Sequence, residues 1–171
     1  MGVLLFLTIR VLHVVFASAW FGAAALTTLY LGPTVQQLGA AGMPVMTGLV
    51  RRGLVVYMAS IGGLTVVTGG YLFWHFTSVD PAVASTPGGM AFSIGALTGV
   101  IALALGGSMV GASAKKMAAI GERLAKMPEG AERAALVATM GQLGRRMATF
   151  GRIIVVLLFI SMAAMALGHY I

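Results

Sequence analysis

The side chains that can bind a cofactor or a metal ion in this chain are three histidines, His13, His75 and His169. A neutral imidazole nitrogen is a ligand for haem iron, copper and zinc. The chain has no cysteine, which excludes disulfides, thiolate metal sites and thiol nucleophiles. Zinc is disfavoured because no carboxylate or thiolate accompanies the histidines in the apolar segments. Haem and copper remain as the candidates.

A b-type haem is the first candidate. Counted from the basic edge of each apolar segment, His13 and His169 lie at a similar depth, and His75 lies about two turns nearer the other surface. Two level histidines on facing helices are suited to axial ligation of haem iron. Arg10 lies three residues before His13 on the same helix face, where it can pair with a propionate or another anion, or extend to the lipid headgroups.

Copper is the second candidate. Met162, Met165 and His169 share one helix face, and thioether and imidazole ligands suit Cu(I). The sequence also permits a plainer interpretation, because methionines commonly fill irregular gaps between helices. His75 and His169 each adjoin an aromatic residue, so both also fit the aromatic belt at a membrane surface.

Four apolar stretches must position these side chains. The chain is 59% apolar and only 9% charged, with a mean hydropathy of +0.99. The stretches are 3–31, 53–76, 90–114 and 153–171, and each is long enough to cross about 30 Å of hydrocarbon as a helix. We therefore predict an all-α fold, a polytopic antiparallel four-helix transmembrane bundle, with residues 1–171 as a single integral membrane domain.

The first stretch is expected to stay in the protein. Residues 17–19, Ala-Ser-Ala, resemble the cleavage site of a signal peptide. A signal peptide, however, has a basic segment before its apolar core, and here Arg10 and His13 would lie inside that core. We expect a retained helix.

The basic residues predict the orientation. Ten of the eleven Lys and Arg residues lie on one side of the predicted bundle: Arg51, Arg52, Lys115, Lys116, Arg123, Lys126, Arg133, Arg145, Arg146 and Arg152. Because basic loops are retained in the cytoplasm, both termini and the 77–89 loop are expected to face outward. The charge of +7 thus reflects topology and attraction to anionic lipid, and no nucleic-acid surface is predicted.

Two further patterns concern packing. Residues 115–152 have apolar side chains at helical spacing, interrupted by Met-Pro-Glu-Gly at 127–130, which predicts a cytoplasmic helical hairpin between spans three and four. The spans are rich in small residues, including the GxxxG pair Gly95 and Gly99. Such pairs permit close helix contact, either within the bundle or with another subunit or copy.

The first span carries a family resemblance. Leu12-His13 followed by Trp20-Phe21-Gly22 resembles the first-helix signature of the copper-resistance protein D family and related small bacterial membrane proteins. The resemblance implies a multi-pass protein of the bacterial inner (cytoplasmic) membrane, with a role for His13 in copper handling or haem binding. It implies packing roles for Trp20 and Gly22. The copper-resistance proteins have more than four spans, and three histidines are too few for the four ligands of a diheme cytochrome.

Two functions follow from these patterns. The first is a small membrane protein with an outer-side site for b-type haem or copper at His13, His169 and His75, with Arg10 beside it, serving electron transfer or metal handling. The second is a non-catalytic accessory subunit of a larger respiratory or photosynthetic membrane complex. Transport is disfavoured because no Asp or Glu lies within a span, and for the same reason no nucleophile triad is predicted.

Overall fold

The chain folds into helices joined by short turns. The computed structural model describes residues 2–171, apart from the side chains of residues 40 and 43, and the described chain contains no strand. The α-helices are α1 (Val3–Leu26), α2 (Gly32–Gln37), α3 (Met43–Arg51), α4 (Leu54–Val79), α5 (Pro87–Leu105), α6 (Ala112–Leu124) and α7 (Ala131–Leu167). A π-helical turn at Thr27–Leu31 joins α1 to α2, and a second at Gly106–Gly111 joins α5 to α6. The predicted all-α class is confirmed.

Four continuous helical stretches of the described chain are long and apolar enough to cross a membrane: Val3–Gln37, Leu54–Val79, Pro87–Leu124 and Ala131–Leu167. The first three run beyond the predicted spans 3–31, 53–76 and 90–114, because a helix satisfies its own backbone hydrogen bonds in lipid and in water alike. The fourth ends at Leu167, before the predicted limit of 171. His169 therefore lies in the turn that follows α7.

The turns between these helices have identifiable causes. Gly53 adopts φ +87°, a left-handed conformation that favours glycine, and so lets the chain bend between α3 and α4. After α4, the Asp80 carboxylate accepts a hydrogen bond from the Ala82 amide at 2.9 Å. The Thr86 hydroxyl then accepts one from the Gly89 amide at 3.1 Å, and Pro87 starts α5. A threonine cap followed by proline is a favoured helix start.

The transmembrane-length helices pack as two closely associated pairs. α1 packs most extensively against α4, and α5 against α7, whereas the contacts between the two pairs are fewer. The buried core draws on all four of these helices, with the following members: Trp20 and Ala24 from α1, Ile61 from α4, Ala102 from α5, and Ile154 and Leu158 from α7. Most other apolar side chains of these helices face outward, as expected where lipid covers the surface.

Glycines permit the close contact between α5 and α7. A Cβ added at Gly95 would lie 2.8 Å from Met165 Cγ and 3.1 Å from the Ser161 carbonyl oxygen. The Ser161 hydroxyl donates a buried hydrogen bond to the Gly95 carbonyl at 2.7 Å. Gly95 of the predicted GxxxG pair thus packs inside the chain. Gly107, in the π-helical turn that follows α5, makes no such contact, since no described atom lies within 4 Å of a Cβ added there.

The long α7 and the α5–α6 stretch extend well past the core. Pro87–Leu124 has 38 residues and α7 has 37, which correspond to roughly 55 Å of helix each. Some 25 Å of each therefore lies beyond about 30 Å of hydrocarbon. This part forms a helix pair whose turn is held by Arg133, which donates hydrogen bonds to the carbonyls of Leu124 and Met127 at 2.8 and 3.3 Å.

Candidate functional site

His13 is the histidine that the fold buries. It projects from α1 toward α4 and is 9% exposed. Its Nδ1 lies 3.0 Å from the Thr65 carbonyl oxygen and 3.1 Å from Thr68 Oγ1. A carbonyl oxygen only accepts, so Nδ1 carries the proton and donates it. The Thr68 hydroxyl can accept as well, because its own proton is donated to the Leu64 carbonyl at 2.6 Å. The ring is therefore the Nδ1–H tautomer.

The other ring nitrogen of His13 is available as a ligand. Nε2 has no hydrogen-bond partner among the described residues. In this tautomer Nε2 bears the lone pair that binds a metal ion. Histidines that bind metals usually donate their second ring N–H to a carbonyl or carboxylate, which fixes the ring and raises its basicity. The contacts of His13 with α4 match this arrangement.

Gly69 determines the position of the His13 ring. A Cβ added at Gly69 would lie 2.7 Å from His13 Cε1 and 3.2 Å from Nδ1. Such distances are shorter than van der Waals contact, so the imidazole occupies the space that any larger residue would fill. Residues 65, 68 and 69 lie at i, i+3 and i+4 spacing and form one face of α4. This face holds both the acceptors and the gap for His13.

A cavity of about 120 Å³ lies beside His13, between the two helix pairs. In the described chain, α1, α4, α5 and α7 each contribute four residues to its lining. Nearly all of this lining is apolar, and the polar side chains in it are His13, Thr65 and Ser161, together with the Trp20 indole. The two hydroxyl groups already donate to backbone carbonyls, Thr65 to Ile61 and Ser161 to Gly95.

Two methionines line the same cavity as His13. Met162 and Met165 both line it from α7; Met165 packs over Gly95, whereas Met162 is 37% exposed. The sequence places these two methionines on one face with His169, but His169 is not part of the cavity lining in the described chain. His13 is the imidazole that accompanies the thioethers. The set of one imidazole and two thioethers is typical of ligands for Cu(I).

His169 pairs with Arg10 instead. Arg10 Nη2 donates to His169 Nε2 at 2.9 Å, which connects α1 with the end of the chain. The ring of His169 also lies edge-on against Phe92 of α5, with centroids 5.2 Å apart. Because the lone pair of Nε2 accepts from Arg10, this nitrogen is not free to bind iron. Arg10 thus binds a neighbouring histidine in this structure.

His75 lies in aromatic surroundings near the end of α4. Its ring centroid is 5.2 Å from that of Phe6, and its ring is stacked on Tyr71 with centroids 6.5 Å apart. The ring is partly exposed and does not line the cavity in the described chain. These contacts match the aromatic-belt interpretation of His75.

The three histidines therefore lie near one end of the bundle but in separate surroundings. Among the described residues, no group of three His, Asp or Glu side chains is arranged to hold a metal ion. A cavity of about 120 Å³ is also below the range of roughly 300–1,000 Å³ that is usual for small-molecule pockets. The residues around His13 thus fit a single soft ion better than they fit haem between His13 and His169.

The two other residues of the first-helix signature differ in role. Trp20 is buried in the core, where a Cβ added at Gly62 would lie 2.9 Å from its Cε2. Gly22 faces outward, with no described atom within 4 Å of an added Cβ. The packing role implied for Trp20 agrees with the structure, whereas Gly22 makes no close contact within the described chain.

Sequence reasoning missed most of the cavity. Thr65, Gly69 and Ser161 were not candidates, although Thr65 and Gly69 have the i, i+4 spacing that places them on one helix face. A small polar residue four positions before a glycine in an apolar span is the signal that could have indicated Thr65 and Gly69.

No protein-family model, characterised protein or solved structure was found to match this chain.

Proposed function

We propose that this protein is a multi-pass membrane protein that binds Cu(I) in the central cavity and serves in copper handling. The observation that supports this proposal is the state of His13, whose Nδ1–H is donated to the Thr65 carbonyl while Nε2 is left without a partner among the described residues. The ring lines the same cavity as the thioethers of Met162 and Met165. His13, Met162 and Met165 are the proposed ligands.

Each protein group has a defined part in this proposal. The α4 carbonyl and hydroxyl groups orient the imidazole, and Gly69 leaves room for it. The thioethers supply soft, uncharged ligands that prefer Cu(I) to harder divalent ions. The mostly apolar lining limits the access of water, which otherwise competes for the ion. Bound copper would serve either metal handling or one-electron transfer.

We further propose an orientation. The bundle is antiparallel in the bacterial inner (cytoplasmic) membrane, with the α6–α7 hairpin in the cytoplasm and both termini on the periplasmic side. The distribution of Lys and Arg supports this orientation, since positive residues are retained in the cytoplasm. His13 precedes the middle of α1, so the metal site would lie nearer the periplasmic surface.

Metal binding can be measured with the chain's own fluorescence. Trp20 lines the cavity, while Trp74 is 62% exposed on α4 and does not line it. In a Trp74→Phe background, the remaining Trp20 reports on the cavity. We expect Ag(I), a redox-stable substitute for Cu(I), to quench this fluorescence at one equivalent per chain. Absence of quenching and of bound metal would contradict the proposal.

A thioether variant separates metal binding from folding. Met165→Leu keeps an apolar side chain of similar volume but removes the sulfur. We expect it to weaken Ag(I) binding at least tenfold with little change in melting temperature. Met90→Leu is the matched control, because Met90 is exposed on α5 and does not line the cavity in the described chain. Equal affinity in both variants would remove Met165 from the site. His13→Ala is expected to abolish binding.

Haem is the alternative occupant. Axial ligation by His13 and His169, with Arg10 on a propionate, requires His169 to release Arg10 and the cavity to widen. A Soret band in protein produced with ample haem, lost in His169→Ala, would favour haem over copper. We expect no such band.

An accessory role in a larger membrane complex is the second candidate function. It is favoured by the outward-facing glycines Gly22, Gly63 and Gly107, where no described atom lies within 4 Å of an added Cβ. Such positions allow a neighbouring helix of another subunit, or of a second copy, to approach closely. Isolation in a gentle detergent as a monomer without a partner would contradict this role.

A further inference from the structure

The basic residues of this chain are not distributed evenly along the hairpin. All three acidic residues in this region form ion pairs with arginine: Arg51 with Glu122 at 3.3 Å, Arg123 with Glu132 at 3.3 Å, and Arg133 with Glu129 at 3.0 Å. Two of these pairs lie at the turn of the hairpin, residues 123–133, which we call the tip. All three carboxylates are thus paired with arginines at or near the tip. The remaining basic side chains of this region have no carboxylate partner in the described chain.

Six of the remaining cations lie where the hairpin meets the apolar part of the bundle. We call these residues the collar: Arg52, Lys115, Lys116, Arg145, Arg146 and Arg152. All six are exposed. Arg146 contacts the Met109 sulfur at 2.6 Å and the face of Phe150 at 6.0 Å. The side chains of the other five make no hydrogen bond or ion pair among the described residues.

Two contacts between helices place the collar at one level. A Cβ added at Gly111 would lie 3.9 Å from Val55 Cγ1, so these two residues are at the same height in the bundle. Arg52 precedes Val55 by three residues, and Lys115 follows Gly111 by four. Since α4 and α6 run in opposite directions here, Arg52 and Lys115 are also at similar heights. Arg146 reaches Met109 of the π-helical turn. The collar therefore occupies a band roughly 10 Å deep, set by the seven helical steps from Arg145 to Arg152.

This band coincides with the end of the apolar surface. Immediately beyond Arg152, α7 continues with the apolar, outward-facing Ile153 and Val156. The polar headgroup region on each side of a bilayer is roughly 5–8 Å deep, and long basic side chains extend into it from a helix. With the membrane boundary at this change from basic to apolar residues, the collar is at the height of the lipid phosphates. The tip then stands some 20 Å farther away, about two and a half Debye lengths at physiological salt.

We propose that the collar binds the headgroups of anionic phospholipids in the membrane leaflet on the hairpin side. Six exposed cations without carboxylate partners, at phosphate height, supply the complementary charge. The tip does not take part, because two of its three cations are paired with glutamate and all are too far from the lipid. This inference is independent of the metal site.

Native mass spectrometry of the detergent-purified protein, titrated with phosphatidylglycerol or with phosphatidylcholine of the same acyl chains, tests the proposal. The collar variant is Arg145→Gln with Arg152→Gln, two exposed residues on one face of α7. The matched tip variant is Arg123→Gln with Lys126→Gln. Both variants lower the charge by two and leave the apolar surface intact. Circular dichroism checks that both keep the helical fold.

We expect the wild type and the tip variant to bind phosphatidylglycerol alike and phosphatidylcholine weakly. The collar variant should bind phosphatidylglycerol roughly thirtyfold more weakly, from the roughly fivefold that one near-surface cation contributes. Equal losses in the two variants would overturn the proposal in favour of general charge attraction. Equal binding of the two lipids, or displacement of phosphatidylglycerol by millimolar inorganic phosphate, would also overturn it.

Discussion

Gly69 and Gly70 are neighbours on α4, yet they have different surroundings. The His13 imidazole occupies the space beside Gly69, whereas no described atom lies within 4 Å of a Cβ added at Gly70. Glycine within a helix is less favourable than alanine by up to about 1 kcal/mol. Alanine at either position stabilises the helix by this amount. Only at Gly69 does the new methyl group also displace a buried side chain, the His13 imidazole.

We therefore predict opposite effects for two alanine substitutions. Gly69→Ala moves the imidazole away from its Thr65 acceptor, and overpacking of this kind costs about 1–3 kcal/mol. Gly70→Ala should leave the melting temperature in detergent unchanged or raise it, whereas Gly69→Ala should lower it. Under the copper proposal, Gly69→Ala also weakens Ag(I) binding, because it displaces the His13 ring. Identical melting temperatures would mean that His13 does not rest on Gly69 as described.

At the scale of the helices, the two glycines of the GxxxG pair in α5 differ in how much space surrounds them. Gly95 has no room for a larger residue, whereas Gly99 has room for alanine. A Cβ at Gly95 would meet the Ser161 carbonyl oxygen, a backbone atom, at 3.1 Å. A Cβ at Gly99 would meet the Ser161 hydroxyl at 3.5 Å, an ordinary contact distance. The Ser161–Gly95 hydrogen bond adds to this contact, and such bonds between membrane helices contribute about 0.6–2 kcal/mol.

Gly95→Ala is therefore expected to separate α5 from α7 and to lower the melting temperature. Gly99→Ala should be neutral or slightly stabilising. Because Gly95 packs within the chain, neither change should alter the oligomeric state measured by light scattering in detergent. If Gly95→Ala were neutral, or if it dissociated an oligomer, the assignment of this pair to the α5–α7 contact would be wrong.

The elements were more predictable from the sequence than the site was. Four uninterrupted apolar stretches predict long helices, because lipid leaves the backbone few other ways to satisfy its hydrogen bonds. The helix ends were predicted less well, since α5 begins at Pro87, capped by Thr86, three residues before the predicted start. A threonine followed by proline gives that start a recognisable signal.

The cavity could not be predicted because lipid-facing and buried side chains are alike in polarity. In a soluble protein, the polar face of a helix shows which way it turns. Here apolar residues cover every face, so the sequence does not set the rotation of α7 relative to α1. His13 was a candidate because an ionisable group in an apolar span is conspicuous. The pairing of His169 with Arg10 depends on the packing of whole helices.

At the scale of the whole molecule, charge asymmetry is the feature that predicts the orientation of the bundle. The hairpin end carries ten of the eleven basic residues. The opposite end has Arg10 and Asp80, whose opposite charges cancel. Since basic segments resist translocation, the hairpin end should remain in the cytoplasm. The chain lacks cysteine, so a single introduced thiol can report on which side of the membrane each end lies.

We expect Ser85→Cys, in the turn between α4 and α5, to react with a membrane-impermeant maleimide in spheroplasts. Lys126→Cys, at the hairpin tip, should react only after the membrane is permeabilised. Both positions are exposed, so both thiols should react fully in detergent, which controls for local accessibility. The reverse labelling pattern would place the hairpin outside and the His13 site nearer the cytoplasm. Copper would then have to reach the cavity from the cytoplasmic side, and the collar would face the outer leaflet.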